Sequence, residues 1–310
     1  MKHSIWILCI LITATVSISC AGSTISREQV HWYEYSRFAD ADGTSIHYLD
    51  IGSRDSSLIL LYLHGYNSCN IAATYFLEYF DDDIRIIIPD LPGCGYSDKP
   101  NIEYTTEYFV DTLHIFVSEI GLDRFVILGH SMGGQIAAAY ACEHQNDLQG
   151  LILMAPLGMP GEIGGMYEFL SNTGPLVNFA YLFHNRWFYQ MALETNVFYD
   201  RENIPSELAP YVSNWLFTSE GIRSLVSITK HLIGREYVNS MIDTITLPVL
   251  LIWGVDDDVL PYRYSGQFMQ QLQNARLISY DNCGHMPQVE RGRDTARAVS
   301  AYVRRAYQEE

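Results

Sequence analysis

The stretch Arg124-Phe-Val-Ile-Leu-Gly-His-Ser131-Met-Gly-Gly-Gln-Ile-Ala-Ala-Ala-Tyr-Ala-Cys-Glu143 decides how this chain reads. Residues 124–128 have the length and composition of a buried strand, and residues 135–143 are strong helix formers. Between them stands Gly129-His130-Ser131-Met132-Gly133-Gly134. A G-x-S-x-G sequence set between strand and helix puts its serine on a sharp turn with the hydroxyl exposed. Gly129 and Gly133 lie where a Cβ would collide as the chain doubles back. Gly134 lets the helix pack closely on the neighbouring strand. The pattern is a nucleophile elbow, and it makes Ser131 the candidate nucleophile.

Working outward, strand and helix patterns alternate. Residues 29–36 and 45–51 read as opening strands, with Asp42-Gly43 as a turn signal between them. Leu58-Ile-Leu-Leu-Tyr-Leu63 is almost continuously apolar, as a strand covered by helices on both faces must be. A helix over 72–79, a strand over 84–89, a helix over 105–120 and the elbow unit follow, then a strand over 151–154. Such alternation implies a mostly parallel α/β sheet. Regularity is lost between Pro156 and Thr246, where aromatic residues abound (Phe179, Tyr181, Phe183, Trp187, Phe188, Tyr189, Phe198, Tyr199, Tyr211, Trp215, Phe217). This segment reads as an inserted helical cap. The pattern resumes with a strand over 249–253, a helix over 264–273, a strand over 275–279 and a closing helix from Thr295.

Five landmarks now stand in order. They are Leu58 to His64-Gly65-Tyr66, Ile84 to Asp90-Leu-Pro-Gly-Cys-Gly95-Tyr-Ser97, the elbow, Val249 to Gly254-Val-Asp-Asp257-Asp-Val-Leu-Pro261, and Asn282-Cys-Gly284-His285-Met-Pro. Together they resemble a serine hydrolase of the α/β-hydrolase fold, from about Ile46 to the C-terminus. The resemblance implies a mostly parallel central sheet with helices on both faces and a helical cap. It divides the chain into a core over 27–156, a cap insert over 157–246 and a second core part over 247–310.

Ser131 is a poor nucleophile until a base removes its proton. His285 stands last in the family's order Ser…Asp…His and follows a strand, so it would share the carboxyl-end face of the sheet with the elbow. Asp256, Asp257 and Asp258 are consecutive, and any of them could orient the base. The family's G-x-x-D spacing from Gly254 selects Asp257. Two backbone N–H groups must meet the developing oxyanion. The amide of Met132 follows the nucleophile directly, and the resemblance places the second donor at Tyr66. His64 is expected to brace its loop, and Asp90 and Ser97 to be architectural. Gly93-Cys-Gly95 lacks the third glycine of a dinucleotide turn.

The chain has 310 residues, 48% hydrophobic, with a formal charge of -17. That acidity excludes a nucleic-acid partner and disfavours strongly anionic substrates. Neither C-x-x-C nor H-E-x-x-H occurs, so neither a metal nor any other cofactor is expected. Lys2, the apolar run Ile5-Trp-Ile-Leu-Cys-Ile-Leu-Ile12 and a small-residue exit form an export signal over 1–19. Val16-Ser-Ile-Ser-Cys20 resembles a bacterial lipoprotein box, although Ser17 stands where leucine is usual. It makes Cys20 a candidate lipid-attachment site, with membrane anchoring expected ahead of a periplasmic or secreted location. Cys283 lies near His285, but the elbow serine is preferred as nucleophile. Serine at the elbow argues against relatives that carry aspartate there. Hydrolysis of a small or lipid carboxylic ester is the leading expectation. The alternatives are carbon–carbon or amide-bond cleavage by the same fold, and a binding protein with negligible turnover.

Overall fold

The computed structural model describes residues 33–161, 186–233 and 238–308. Eight strands form one sheet: β1 (Ser36–Ala41), β2 (Thr44–Ile51), β3 (Leu58–Leu63), β4 (Ile84–Pro89), β5 (Phe125–His130), β6 (Leu148–Met154), β7 (Val249–Gly254) and β8 (Ala275–Tyr280). Their spatial order is β1-β2-β4-β3-β5-β6-β7-β8. The pairs β1/β2 and β2/β4 are antiparallel, and all others are parallel. Every residue of β5, β6 and β7 is buried, which accounts for their unbroken apolar character.

The helices are α1 (Ile71–Leu77), α2 (Thr106–Glu119), α3 (Met132–His144), α4 (Arg186–Ala192), α5 (Leu208–Leu216), α6 (Ser219–His231), α7 (Ser265–Gln271), α8 (Pro287–Glu290) and α9 (Gly292–Ala306). One sheet face carries α2 and α3, and the other carries α1, α8 and α9. The Thr105 and Thr218 hydroxyls cap α2 and α6 by accepting the Tyr108 and Gly221 N–H groups. Among the described residues, no helix is long and apolar enough to cross a membrane.

From β3 the chain moves one way to β4, then crosses back past β3 to reach β5. The carboxyl ends of β3 and β5 therefore flank the crevice where the strand order reverses, the place where open α/β sheets take ligands. The described part of the segment inserted between β6 and β7 is helical: α4, a π-helical turn over Leu193–Val197, α5 and α6.

Several boundaries differ from the sequence expectation, among them the start of β6 at Leu148 rather than Leu151. β1 begins at Ser36, where residues 29–36 were expected to form the first strand, and residues 29–32 lie outside the described region. The two-residue turn sets this register: Asp42 and Gly43 both have positive φ, 52° and 82°, as a tight hairpin demands. Helix α3 starts at Met132 rather than Gln135, because Gly133 and Gly134 are helical despite their poor propensity. Helix α9 starts at Gly292, and the short helix α8 carried no periodic signal. The expected export signal over 1–19, Cys20, and the aromatics Phe179, Tyr181 and Phe183 lie outside the described residues.

Candidate active site

Ser131 joins β5 to α3 with φ 54° and ψ -118°. A left-handed φ in a residue bearing a Cβ costs about 1–3 kcal/mol and persists only where surrounding contacts enforce it. Those contacts are backbone hydrogen bonds. The Ser131 N–H donates to Met154 at 3.0 Å, and its carbonyl accepts from Leu157 at 3.0 Å and Gly134 at 2.9 Å. The glycines make the turn sterically feasible. A Cβ on Gly129 would lie 2.2 Å from the Gly133 carbonyl oxygen, and one on Gly133 would lie 2.4 Å from that of Leu63. A Cβ on Gly134 would meet Pro156 at 2.6 Å, so the close approach is to the segment after β6. Asn67, Ala155 and Asn282 also have positive φ, and like Ser131 they follow the carboxyl ends of parallel strands.

Asp257 follows β7 and His285 follows β8. The His285 Nδ1–H donates to Asp257 Oδ2 at 2.7 Å, while Asp257 Oδ1 accepts the Val259 and Leu260 N–H groups at 2.9 and 2.8 Å. A carboxylate only accepts, so Nδ1 carries a proton, and in the neutral imidazole Nε2 keeps its lone pair. Asp257 is 3% exposed, His285 6% and Ser131 9%. Asp256 and Asp258 are exposed, so burial and the bond to His285 separate Asp257 from its two neighbours.

His130, adjacent to Ser131, donates from Nε2 to the His285 carbonyl at 2.7 Å, and the two rings lie 4.8 Å apart. Burial, followed by the neighbouring His285, pushes the His130 pKa down to about 3. This contact brings the elbow and the histidine loop together. Nothing in the residue spacing pointed to it.

The loop after β3 completes the group. A Cβ on Gly65 would lie 3.1 Å from both Ser131 Cβ and His130 Nδ1, so backbone there abuts the serine. His64 Nε2 accepts the Leu91 N–H at 3.0 Å and Nδ1–H donates to the Gly65 carbonyl at 2.9 Å, which is a bracing role. Burial lowers its pKa. The Tyr66 hydroxyl pairs with Thr229 of α6 at 2.6 Å, and the Tyr189 hydroxyl of α4 donates to the Asn67 carbonyl at 3.0 Å. The inserted helices thus hold the loop at two points. Met132 opens α3, and the leading N–H groups of a helix have no intrahelical acceptor.

A second Ser–His–Asp chain lies at the β1–β2 edge. Ser36 Oγ pairs with His47 Nε2 at 2.7 Å, and His47 Nδ1 with Asp90 Oδ2 at 2.8 Å. Ser36 lies on a strand rather than a turn, with no helix N-terminus after it. Asp90 also accepts the Asn70 and Tyr96 N–H groups at 2.8 and 2.9 Å, and its backbone carbonyl accepts the Ser97 hydroxyl. Burial alone would raise the Asp90 carboxyl pKa, but the bond and charge of His47 hold it below the usual range. This chain ties together the loops after β3 and β4. Its bonds brace these loops, in keeping with the architectural part expected of Asp90.

Cys69, Cys94, Cys142 and Cys283 are free thiols, and burial pushes that of Cys283 well up, which disarms it as a nucleophile. His114, His144 and Asp147 place ligand-type atoms within 4.8 Å of one another. The two imidazoles stack at 4.0 Å with planes 9° apart, however, and in-plane lone pairs on parallel rings cannot converge on one ion. Tyr189, Phe198, Tyr211 and Trp215 of the insert are buried packing residues.

Residues 60–298, well over half of the chain, match the model of the alpha/beta hydrolase family. The chain is 26% identical over 280 residues to the 2-hydroxy-6-oxo-6-(2'-aminophenyl)hexa-2,4-dienoic acid hydrolase of Metapseudomonas resinovorans, covering 87% of this chain and 91% of that one. It is 24% identical over 264 residues to monoacylglycerol lipase abhd6-A of Xenopus laevis, covering 83% and 78%. Its fold superposes on the crystal structure of a bacterial membrane phospholipase A with a TM-score of 0.77, at 24% identity and 99% of both chains. The strand order, the elbow and the match across the sheet lead to one conclusion: the chain is an enzyme of the alpha/beta hydrolase family.

Proposed function

We propose that the protein is a serine hydrolase in which Ser131 attacks a carbonyl carbon, His285 is the base and Asp257 orients it. The observation that carries this reading is the bond from His285 Nδ1 to Asp257, which leaves the second ring nitrogen to act as base, on a loop that, like Ser131, follows the carboxyl end of a strand of the one sheet. As the Ser131 oxygen bonds to carbon, its proton passes to Nε2. The oxyanion is met by the N–H groups of Met132 and Tyr66. Collapse of this adduct breaks the bond to the leaving group, which takes the proton from His285 and departs. Water then repeats the sequence on the acyl-enzyme and releases a carboxylic acid and free Ser131.

The bond cleaved is proposed to be a carbon–carbon bond beside a ketone. Support comes from two hydrolases of 2-hydroxy-6-oxo acids, which match this chain over 87% and 85% of its length. A carbon leaving group departs only if its electron pair is delocalised, so the substrate class is a dienol ketone that first ketonises, taking a proton at the carbon beside the ketone. The departing carbon is then sp3, and its electron pair passes through a vinyl group into a second carbonyl. Ester cleavage is the second reading. It is supported by two monoacylglycerol lipases that match 83% and 79% of the chain, and by the charge of -17, which does not favour an anionic acid.

The deciding experiment compares turnover of a 2-hydroxy-6-oxo-dienoate, followed by loss of its absorbance, with release of p-nitrophenol from acyl esters of graded length. Faster dienoate turnover, abolished in Ser131→Ala, supports the first reading. Exclusive ester turnover replaces it with the second. No turnover of either and no reaction with a fluorophosphonate would leave a binding protein. Export and lipidation of Cys20 are proposed from the N-terminal sequence alone, and the mass of the mature N-terminus tests them.

A further inference from the structure

The histidine loop crosses the inserted region at a point where backbone touches backbone. The His285 N–H donates to the Val197 carbonyl at 2.7 Å, at the end of the π-helical turn. A Cβ on Gly284 would lie 2.6 Å from the Val197 oxygen, 2.8 Å from the Tyr199 nitrogen and 3.1 Å from Glu290 Oε1. The glycine before the histidine is therefore required by this crossing. On its far side sits one carboxylate. Glu290 Oε1 accepts the Gly284 N–H at 2.9 Å and the Met286 N–H at 3.4 Å, and Oε2 accepts the Tyr199 N–H at 2.8 Å.

We propose that Glu290 is a positioning residue that fastens the loop carrying His285 to the inserted helical region, holding the base in register without touching a reacting atom. The inference rests on His285 being the base. Residues 284 and 286 flank that histidine, so one side chain anchors both shoulders of the loop. Its other oxygen holds Tyr199, two residues past the Val197 contact. A carboxylate suits the place because backbone donors converge on both of its oxygens, whereas an amide offers only one acceptor. Burial raises its carboxyl pKa, against the pull of the Tyr199, Met286, Gly284 and Asp200 N–H groups. The arrangement couples the insert to catalysis, since displacement of residues 197–199 removes two of the bonds that hold the loop.

The test uses the full chain and its Glu290→Ala and Glu290→Gln variants, with folding checked by circular dichroism. The readouts are the rate of fluorophosphonate labelling at Ser131 and the separate values of kcat and KM. A base displaced by about 1 Å should cost about 100-fold, so the alanine variant should lose about that factor in labelling rate and kcat, with KM nearly unchanged. The glutamine variant, keeping one acceptor, should fall between it and wild type. Wild-type labelling in either folded variant overturns the proposal, as does a raised KM with unchanged kcat. Should the alanine variant not fold, the glutamine variant decides alone. A His285→Ala control that labels at the wild-type rate would instead overturn the assignment of the base.

Discussion

His130 Nε2–H donates to the His285 carbonyl at 2.7 Å, so the residue beside the candidate nucleophile holds the backbone of the candidate base. The His285 N–H is held by Val197 and its Nδ1 by Asp257. Three segments distant in sequence thus fix one imidazole, and Nε2 is left for chemistry. Replacing His130 with alanine should lower kcat by about 10- to 100-fold through loss of this anchor, with KM changed far less. Steady-state kinetics on the folded variant check this.

The same histidine should shape acid stability. Its folded pKa is about 3 and its ordinary value 6.5, so between these limits the unfolded chain binds a proton that the native state does not. Its contribution is whole above pH 6.5 and is lost as pH falls towards 3, at up to about 1.4 kcal/mol per pH unit. Urea unfolding at pH 7 and 4.5 should show wild type losing about 2 kcal/mol more than His130→Gln. Equal losses would contradict the assignment.

Asp257 and Asp258 should separate cleanly. Asp257→Asn keeps a hydrogen-bonding side chain of similar size but favours the wrong imidazole tautomer, and should lower kcat by about 10,000-fold. Asp258 is exposed, and its alanine variant should retain wild-type turnover. Assays of the two variants side by side give the comparison.

Gly133→Ala tests the elbow sterically. The new methyl would press on the Leu63 and His64 carbonyl oxygens at 2.4 and 2.6 Å, which are backbone atoms with no room to yield. A loss of about 3 kcal/mol is expected, read as a lower urea midpoint.

Much of the fold was legible because the sheet is covered on both faces. Leu58–Leu63 and Val249–Gly254 had to be apolar throughout, and Ile84–Pro89 is so but for Arg85, with turn residues bounding them. Ser131, Asp257 and His285 were legible for a different reason, since each follows a strand and so reaches the same edge. The first strand was misplaced although its turn was read, because a tight hairpin carries both strands right up to Asp42 and Gly43 and so runs β1 on to Ala41. Gly133 and Gly134 looked unhelical because propensity ignores the crowding that excludes a Cβ. His130, Glu290, Tyr189 and the Ser36–His47–Asp90 chain left no pattern in the sequence. Their partners lie 155, 91, 122 and 43 residues away, and only folding reveals such contacts.

Ser36 sits in a hydrogen-bonded Ser–His–Asp chain and Ser131 on the elbow, and the account stands on choosing between them. Reaction with a fluorophosphonate followed by peptide mapping makes that choice directly. The account predicts a single adduct on Ser131, lost in Ser131→Ala and His285→Ala and retained in Ser36→Ala. An adduct on Ser36, or none on folded protein, would contradict it.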